Sequence, residues 1–363
     1  MIPLRSAALA LVAFVAAGCA PTAVSPTQSP SPSATPTPVP ATSAPAPGPS
    51  APPRLEVSDA PITGTGRKLL LFQLANETRF RAITWDASVS GVLPGQVAAT
   101  PGWSQAPDGA PYLVDRTIYT GEGRSLGTVP WPSKVTPTWS IAGTSLCAAV
   151  PDGGTGSSMR FEHLVIGQSV RVVARDFATY SDNAGYPVLA CDEGTDRAIV
   201  AVFGQGIAPV RLWVFRLSTG AVIRSVDYAG RLGWVAASAD GTILVETLPF
   251  DTASGRWSAT IRSADDGAKI GAVDGFVGQG FSGDNTLLVG ASQNATALVD
   301  WRTGHAVWSA SGPYGGFLTE PAGRRVAIGI GFVGGSDQRD VYLVQRDGSA
   351  PLLPAGVRVG LRY

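Results

Sequence analysis

The residues best equipped for chemistry are few. Histidine occurs twice, at His163 and His305, and beyond Cys19 cysteine occurs twice, at Cys147 and Cys191. A nucleophilic triad needs an imidazole beside a hydroxyl or thiol. His163 lies in Phe161-Glu162-His163-Leu164, which reads as a strand, and His305 follows a hairpin glycine. Both read as structural or solvent-facing positions. No close-spaced Cys/His set exists along the chain, so no metal site is expected. Gly329-Ile330-Gly331-Phe332-Val333-Gly334 fits the GxGxxG pattern, but a dinucleotide site needs a helix after it. Here Ser336-Asp337-Gln338-Arg339 leads into another strand, so the stretch reads as a glycine-rich loop. Asp192, Glu193 and Asp196 gather at a turn without the spacing of a calcium loop; hairpin aspartates bond their own backbone. GxxxxGK, HExxH, CxxC and GxSxG do not occur. No catalytic residue and no cofactor is expected.

The residues with the best claim to a ligand are in a loop. Arg175-Asp176-Phe177-Ala178-Thr179-Tyr180-Ser181-Asp182-Asn183-Ala184-Gly185-Tyr186 mixes two tyrosines with charged groups, and a second long loop, Pro151 to Arg160, lies nearby in sequence. Aromatic rings beside hydrogen-bonding groups suit carbohydrate or protein surfaces. Arg175, Asp176, Tyr180, Asp182 and Tyr186 are the candidate binding residues.

The elements that must position these loops follow one repeated plan. A tight polar turn precedes an apolar run, a second apolar run and another glycine turn. The first turns fall at Gly66, Asp108-Gly109, Gly143-Thr144-Ser145, Glu193-Gly194-Thr195, Asp240-Gly241, Gly283-Asp284 and Ala322-Gly323. Gly66 to Gly323 is 257 residues in six steps, about 43 per step, a blade length for propellers. The fifth unit is the clearest. Gly233 to Ser238 is an inner strand, Ala239-Asp240-Gly241 a hairpin, and Thr242 to Thr247 a second strand. Trp257 to Arg262 alternates as a third strand, and Lys269 to Val273 is the outer fourth. Such alternation between glycine turns predicts antiparallel sheet. The first unit lacks an inner strand, and Val357 to Tyr363 at the C-terminus has no unit of its own. The expectation is that this last strand completes the first blade; the alternative is Leu55-Glu56-Val57.

Arg324 to Ile328 with Asp340 to Gly348 resembles the TolB-type repeat, and Ala297-Leu298-Val299-Asp300-Trp301-Arg302-Thr303-Gly304-His305-Ala306-Val307-Trp308 resembles that of quinoprotein-like propellers. The likeness to WD-repeat-like extracytoplasmic propellers covers nearly all of 64–363 and implies the fold. It barely touches function, because one fold hosts many activities. Trp308 stands where that second group has a docking tryptophan, but the other units lack one.

The first 19 residues read as an export signal: Arg5, then an uncharged, mostly apolar stretch from Ala7 to Ala17. Ala16-Ala17-Gly18-Cys19 resembles the lipobox of bacterial lipoproteins, with alanine where leucine is preferred. The resemblance implies lipidation of Cys19 after removal of 1–18 and attachment to the cell membrane on its extracytoplasmic side. Two acyl chains anchor stably. Residues 21–53 hold 12 prolines in 33 positions and no charge. Proline fixes φ and removes donors, so 19–53 is expected to be a disordered, extended tether.

The 27 basic and 27 acidic residues cancel, which leaves no excess for nucleic acid. An extracytoplasmic compartment permits disulfides. Cys147 and Cys191 lie one repeat apart, near the same end of adjacent sheets; a bridge is expected, with two buried thiols as the alternative. The fold expected for 54–363 is a monomeric, seven-bladed β-propeller of four-stranded antiparallel blades closed by the C-terminal strand. Its function reads as binding or scaffolding toward an envelope protein or glycan. The alternative is an extracytoplasmic enzyme such as a lyase, glycosidase or dehydrogenase; a glycosidase would need paired carboxylates in the central channel.

Overall fold

In a computed structural model, alternating apolar runs form strands and glycine or aspartate turns close them into hairpins. The structure describes residues 52–62, 68–74, 77–94, 103–107, 109, 111–204, 208–228, 231–249, 256–331 and 340–360. Cys19 and the tether as far as residue 51 lie outside them, as do Gly66, Asp108 and residues 332–339. No helix occurs among the described residues.

The strands make seven antiparallel sheets in chain order. The third blade is Thr138–Trp139, Ser145–Pro151, Met159–Val165 and Arg171–Ala174, counted from the axis outward. The fourth is Val188–Asp192, Arg197–Phe203, Pro209–Arg216 and Val222–Asp227. The fifth matches the plan read from the sequence: Trp234–Ala237, Ile243–Thr247, Ser258–Ser263 and Lys269–Asp274. The seventh has three full strands, Tyr314–Thr319, Val326–Ile330 and Asp340–Val344. Its fourth place is taken by a short bridge of Leu352 to Tyr342.

The first blade closes the ring. Val357–Arg358 pairs antiparallel with Leu69–Leu74, Leu74 opposite Val357 and Gln73 opposite Arg358. The chain's last described strand is thus the innermost of the first sheet, as the unpartnered apolar run predicts. The Leu55-Glu56-Val57 segment does something else. It runs along the outside. Leu55 N–H donates to Leu352 O at 2.7 Å on the seventh blade, and Ile62 N–H donates to Val92 O at 2.9 Å on the first. Arg54 pairs with Asp340 at 2.8 Å, and the buried Arg81 guanidinium grips Glu77 and Asp59 at 2.7 Å each. The two blades that meet at closure are therefore joined at the axis by the tail and at the rim by the start of the domain.

The apolar interior is divided rather than shared. Seven buried clusters lie between neighbouring sheets, one for each seam of the ring. The closing seam packs Leu70, Phe72, Ile83 and Trp85 of the first blade against Leu318, Ala327, Val341 and Leu343 of the seventh, with Leu353 and Val357. Trp308 belongs to the seam between the sixth and seventh blades, its ring 5.1 Å from Tyr342. It is a packing residue.

Val357 is 1% exposed, whereas Val222, on an outer strand, is 53% exposed. Val357→Ala is expected to lower unfolding free energy by about 2 kcal/mol. Val222→Ala is expected to stay within about 0.5 kcal/mol. Urea denaturation of the two variants beside the parent measures the difference.

Candidate functional site

Loops between second and third strands, and the connectors from one blade to the next, share one end of the ring, here the loop face. The long loops at 151–158 and 175–187 both open there, between the third and fourth blades. They clasp each other. Tyr180 N–H donates to Ser157 O at 2.8 Å, Gly156 N–H to Tyr180 O at 2.9 Å and Met159 N–H to Ala178 O at 2.9 Å. Phe177 anchors the second loop edge-on to Trp213 and Phe215, at 5.2 and 5.8 Å.

Three of the five candidate residues meet. Tyr180, Asp182 and Tyr186 line a cavity of about 400 Å³ with Lys134, Pro151 and Met159. Lys134 Nζ lies 4.6 Å over the Tyr180 ring and donates to its hydroxyl at 3.1 Å. The Tyr180 hydroxyl donates to Asp182 at 2.7 Å, and Thr155 donates to the same carboxylate. Donation from Thr155, then Tyr180, with Lys134 nearby, holds the Asp182 carboxyl below its ordinary range. The Tyr186 hydroxyl accepts from Ser181 N–H and donates to Thr179 O, both at 2.8 Å, so that side chain braces the loop as well as lining the cavity. Burial pushes its phenol up. Arg175 and Asp176 are absent from the lining. Both are exposed where the chain reverses through a left-handed Asp176, φ 55°. That turn removes them from the candidate site.

Beside this cavity lies a cup on the ring axis, also about 400 Å³. The two share Thr136 and Pro187 at their rim. Trp103, Trp139, Trp234 and Phe317 supply the aromatic wall of the cup; Ser104, Thr138 and Gln279 supply polar edges. Trp139 is fixed by donating its indole N–H to Ser104 at 3.0 Å. Below, the shaft narrows to about 40 Å³, room for only a few waters. Among the described lining residues of both cavities, Asp182 is the one carboxylate and Lys134 the one cation. Lys134 and the three tryptophans were missed by the sequence reading. A signal existed: Trp103, Trp139 and Trp234 each fall within an innermost strand of a different blade.

At the opposite end, the hairpin aspartates do satisfy their own turns. Asp240 accepts from Thr242 N–H at 3.0 Å and from Ser238 at 2.5 Å; Asp284 repeats this with Thr286 and Ser282. Asp192 accepts from Thr195 N–H at 2.9 Å within its turn, whereas Asp196 accepts from Ser218 N–H at 2.6 Å in the next hairpin of the blade. Glu193 differs. Its carboxylate stands 3.3 Å from Nε2 of His163, and that contact holds its carboxyl at about 2. His163 faces Cys147 across the sheet of the third blade, and Cys147 is bonded to Cys191 of the fourth, Cα to Cα 6.0 Å. A Cys/His set therefore does exist, which the linear spacing concealed. His305 is exposed at the start of an outer strand.

Solved structures that superpose on the chain are distant from it in sequence. An oligogalacturonate lyase from Vibrio parahaemolyticus superposes with a TM-score of 0.50 at 13% identity, over 82% of this chain and 92% of that one. TolB from Acinetobacter baumannii gives 0.42 at 11%, over 80% of this chain and 64% of its own. Hsv2p from Kluyveromyces lactis gives 0.45 at 10%, over 85% and 97%. The chain thus spans a little under two thirds of TolB. At such identities the likeness is one of fold alone. No family model matches the chain, and no curated protein matches it in sequence.

Because Asp182 is charged in the clasp, its bonds to Thr155 and Tyr180 persist above the ordinary carboxylate pKa of about 3.9 and are lost as pH falls through its lower folded value. The Tyr180 ring resonances are expected to titrate with a midpoint below about 3.9. In Asp182→Asn they should show no such step. NMR across the acid range checks both.

Proposed function

We propose that the chain is a lipid-anchored extracytoplasmic binding module whose loop face takes a glycan or protein of the cell envelope. Cys19 carries the lipid, and 19–53 holds the propeller away from the membrane. The observation that carries the binding reading is the pair of adjoining aromatic-walled cavities, whose described lining holds a single carboxylate, Asp182 of the loop cavity. An acid–base glycosidase needs two carboxyl groups about 5–10 Å apart across the scissile bond. The described lining offers Asp182 alone. Flat aromatic rings beside hydroxyl and amide edges match a sugar ring, which has an apolar face and a polar rim. The glycan is therefore the ligand that the chemistry of this face fits best.

Isothermal titration of the 54–363 domain against envelope glycan fractions tests this. Binding is expected, and Tyr180→Ala should weaken it about tenfold, the loss of about 1.4 kcal/mol. Leu126→Ala, on an exposed outer strand of the second blade, should leave it unchanged. Turnover of a glycan, or binding indifferent to Tyr180, would contradict the reading. For the anchor, Cys19→Ala is expected to abolish fatty-acid labelling and move the protein from the membrane to the soluble fraction.

A further inference from the structure

The seam between the third and fourth blades brings together groups that neither the loop face nor the hairpins employ. Cys147 lies on the second strand of the third blade, His163 opposite it on the third strand, and Cys191 on the innermost strand of the fourth. One imidazole nitrogen and the two sulfurs lie within 4.8 Å of one another. All three residues are buried, His163 at 5% exposure and both cysteines at 0%. His163 Nε2 is enclosed without an aligned hydrogen-bond partner, although a Glu193 oxygen stands 3.3 Å away. A buried imidazole nitrogen without an aligned partner is uncommon, since such atoms are nearly always paired. The walls are apolar: Phe161 and Phe215 stack at 5.5 Å, with Ala198 and Leu217 alongside.

We infer that the dithiol form of this chain holds a thiophilic divalent cation, Zn²⁺, between Cys147, His163 and Cys191, and that metal and disulfide are alternative fillings of one site. Two thiolates and an imidazole are three of the four ligands of a tetrahedral zinc, and Glu193 or a water takes the fourth place. Ligands at 2.0–2.3 Å from a tetrahedral centre sit about 3.3–3.8 Å apart. On reduction the two sulfurs part to that distance and the imidazole nitrogen, within 4.8 Å of them, closes to it, by side-chain rotation about Cα positions 6.0 Å apart. The exchange balances. A dithiol reductant supplies two electrons and two protons, becomes a disulfide itself, and leaves two thiols. Zn²⁺ then displaces both thiol protons to solvent, while the neutral imidazole contributes a lone pair. The site lies toward the hairpin end of the ring, apart from the loop-face cavities, and is independent of the proposed ligand.

Cobalt reports the site directly. The full chain, prepared with reduced thiols and titrated with Co²⁺, is expected to bind one ion per chain. Sulfur-to-cobalt charge-transfer and tetrahedral d–d bands should appear, and stoichiometric Zn²⁺ should erase them. The oxidised chain should show neither band. His163→Ala should weaken Co²⁺ by more than the roughly 10–100-fold that losing an outer-shell partner costs. His163→Gln, which keeps the volume, should do the same if the alanine variant does not fold. In the parent, Zn²⁺ should block alkylation and oxidation of Cys147 and Cys191. A reduced, folded chain that shows no charge-transfer band would overturn the inference. So would Co²⁺ affinity indifferent to His163, or a reduced chain that stays unfolded with Zn²⁺ present; folding restored by Zn²⁺ would support it.

Discussion

Everything in this molecule depends on one seam. Each blade buries its apolar faces against two neighbours and has no core of its own, so six seams can form along the chain and the seventh must join its two ends. That junction sets Leu70, Phe72 and Trp85 against Leu318, Val341 and Leu343. Two separate parts of the chain hold it. At the axis, Val357–Arg358 pairs with the first blade's Leu69–Leu74 strand. At the rim, residues 53–62 hydrogen-bond first to Leu352 and then to Val92. Pairing at both the axis and the rim of the junction leaves short, protected strand edges where an open ring would expose a full apolar face.

The closed ring has two unlike ends. At the hairpin end the turns are short and locked. Thr195 donates to Asp240 O at 2.5 Å, Asn285 to the Asp240 carboxylate at 2.7 Å, and Asp284 N–H to Gly323 O at 3.0 Å, so neighbouring blades are tied from the fourth to the seventh. Such a face has little freedom to adapt. At the loop face, long segments clasp each other, and two adjoining cavities remain between them and the axis. Loops held on a rigid frame are where binding groups concentrate.

The architecture was legible in the sequence because each blade repeats the same punctuation. Asp240-Gly241 and Gly283-Asp284 mark hairpins by chemistry, and the run at Val357 was an apolar strand without a partner of its own. The loop at 175–186 was legible from its length and tyrosines. Arg175 and Asp176 fall outside the cavity lining, and composition does not show that the chain turns at a left-handed Asp176. The tryptophan cup was hidden because Trp103, Trp139 and Trp234 converge only when the ring closes. The Cys147–Cys191 bridge was legible from its one-repeat spacing, but His163 beside it was hidden, because only hairpin register sets His163 opposite Cys147.

Hydrogen exchange by mass spectrometry on the intact chain tests the closure directly. Amides in peptides covering 352–360 should be protected, as those of 69–74 are, since Val357 and Arg358 pair with Leu74 and Gln73 and the N–H groups of Leu352 and Leu353 donate to Pro53 O and Val341 O. Exchange of 352–360 at the rate of an unstructured segment, with 69–74 still protected, would contradict a ring sealed by its own tail.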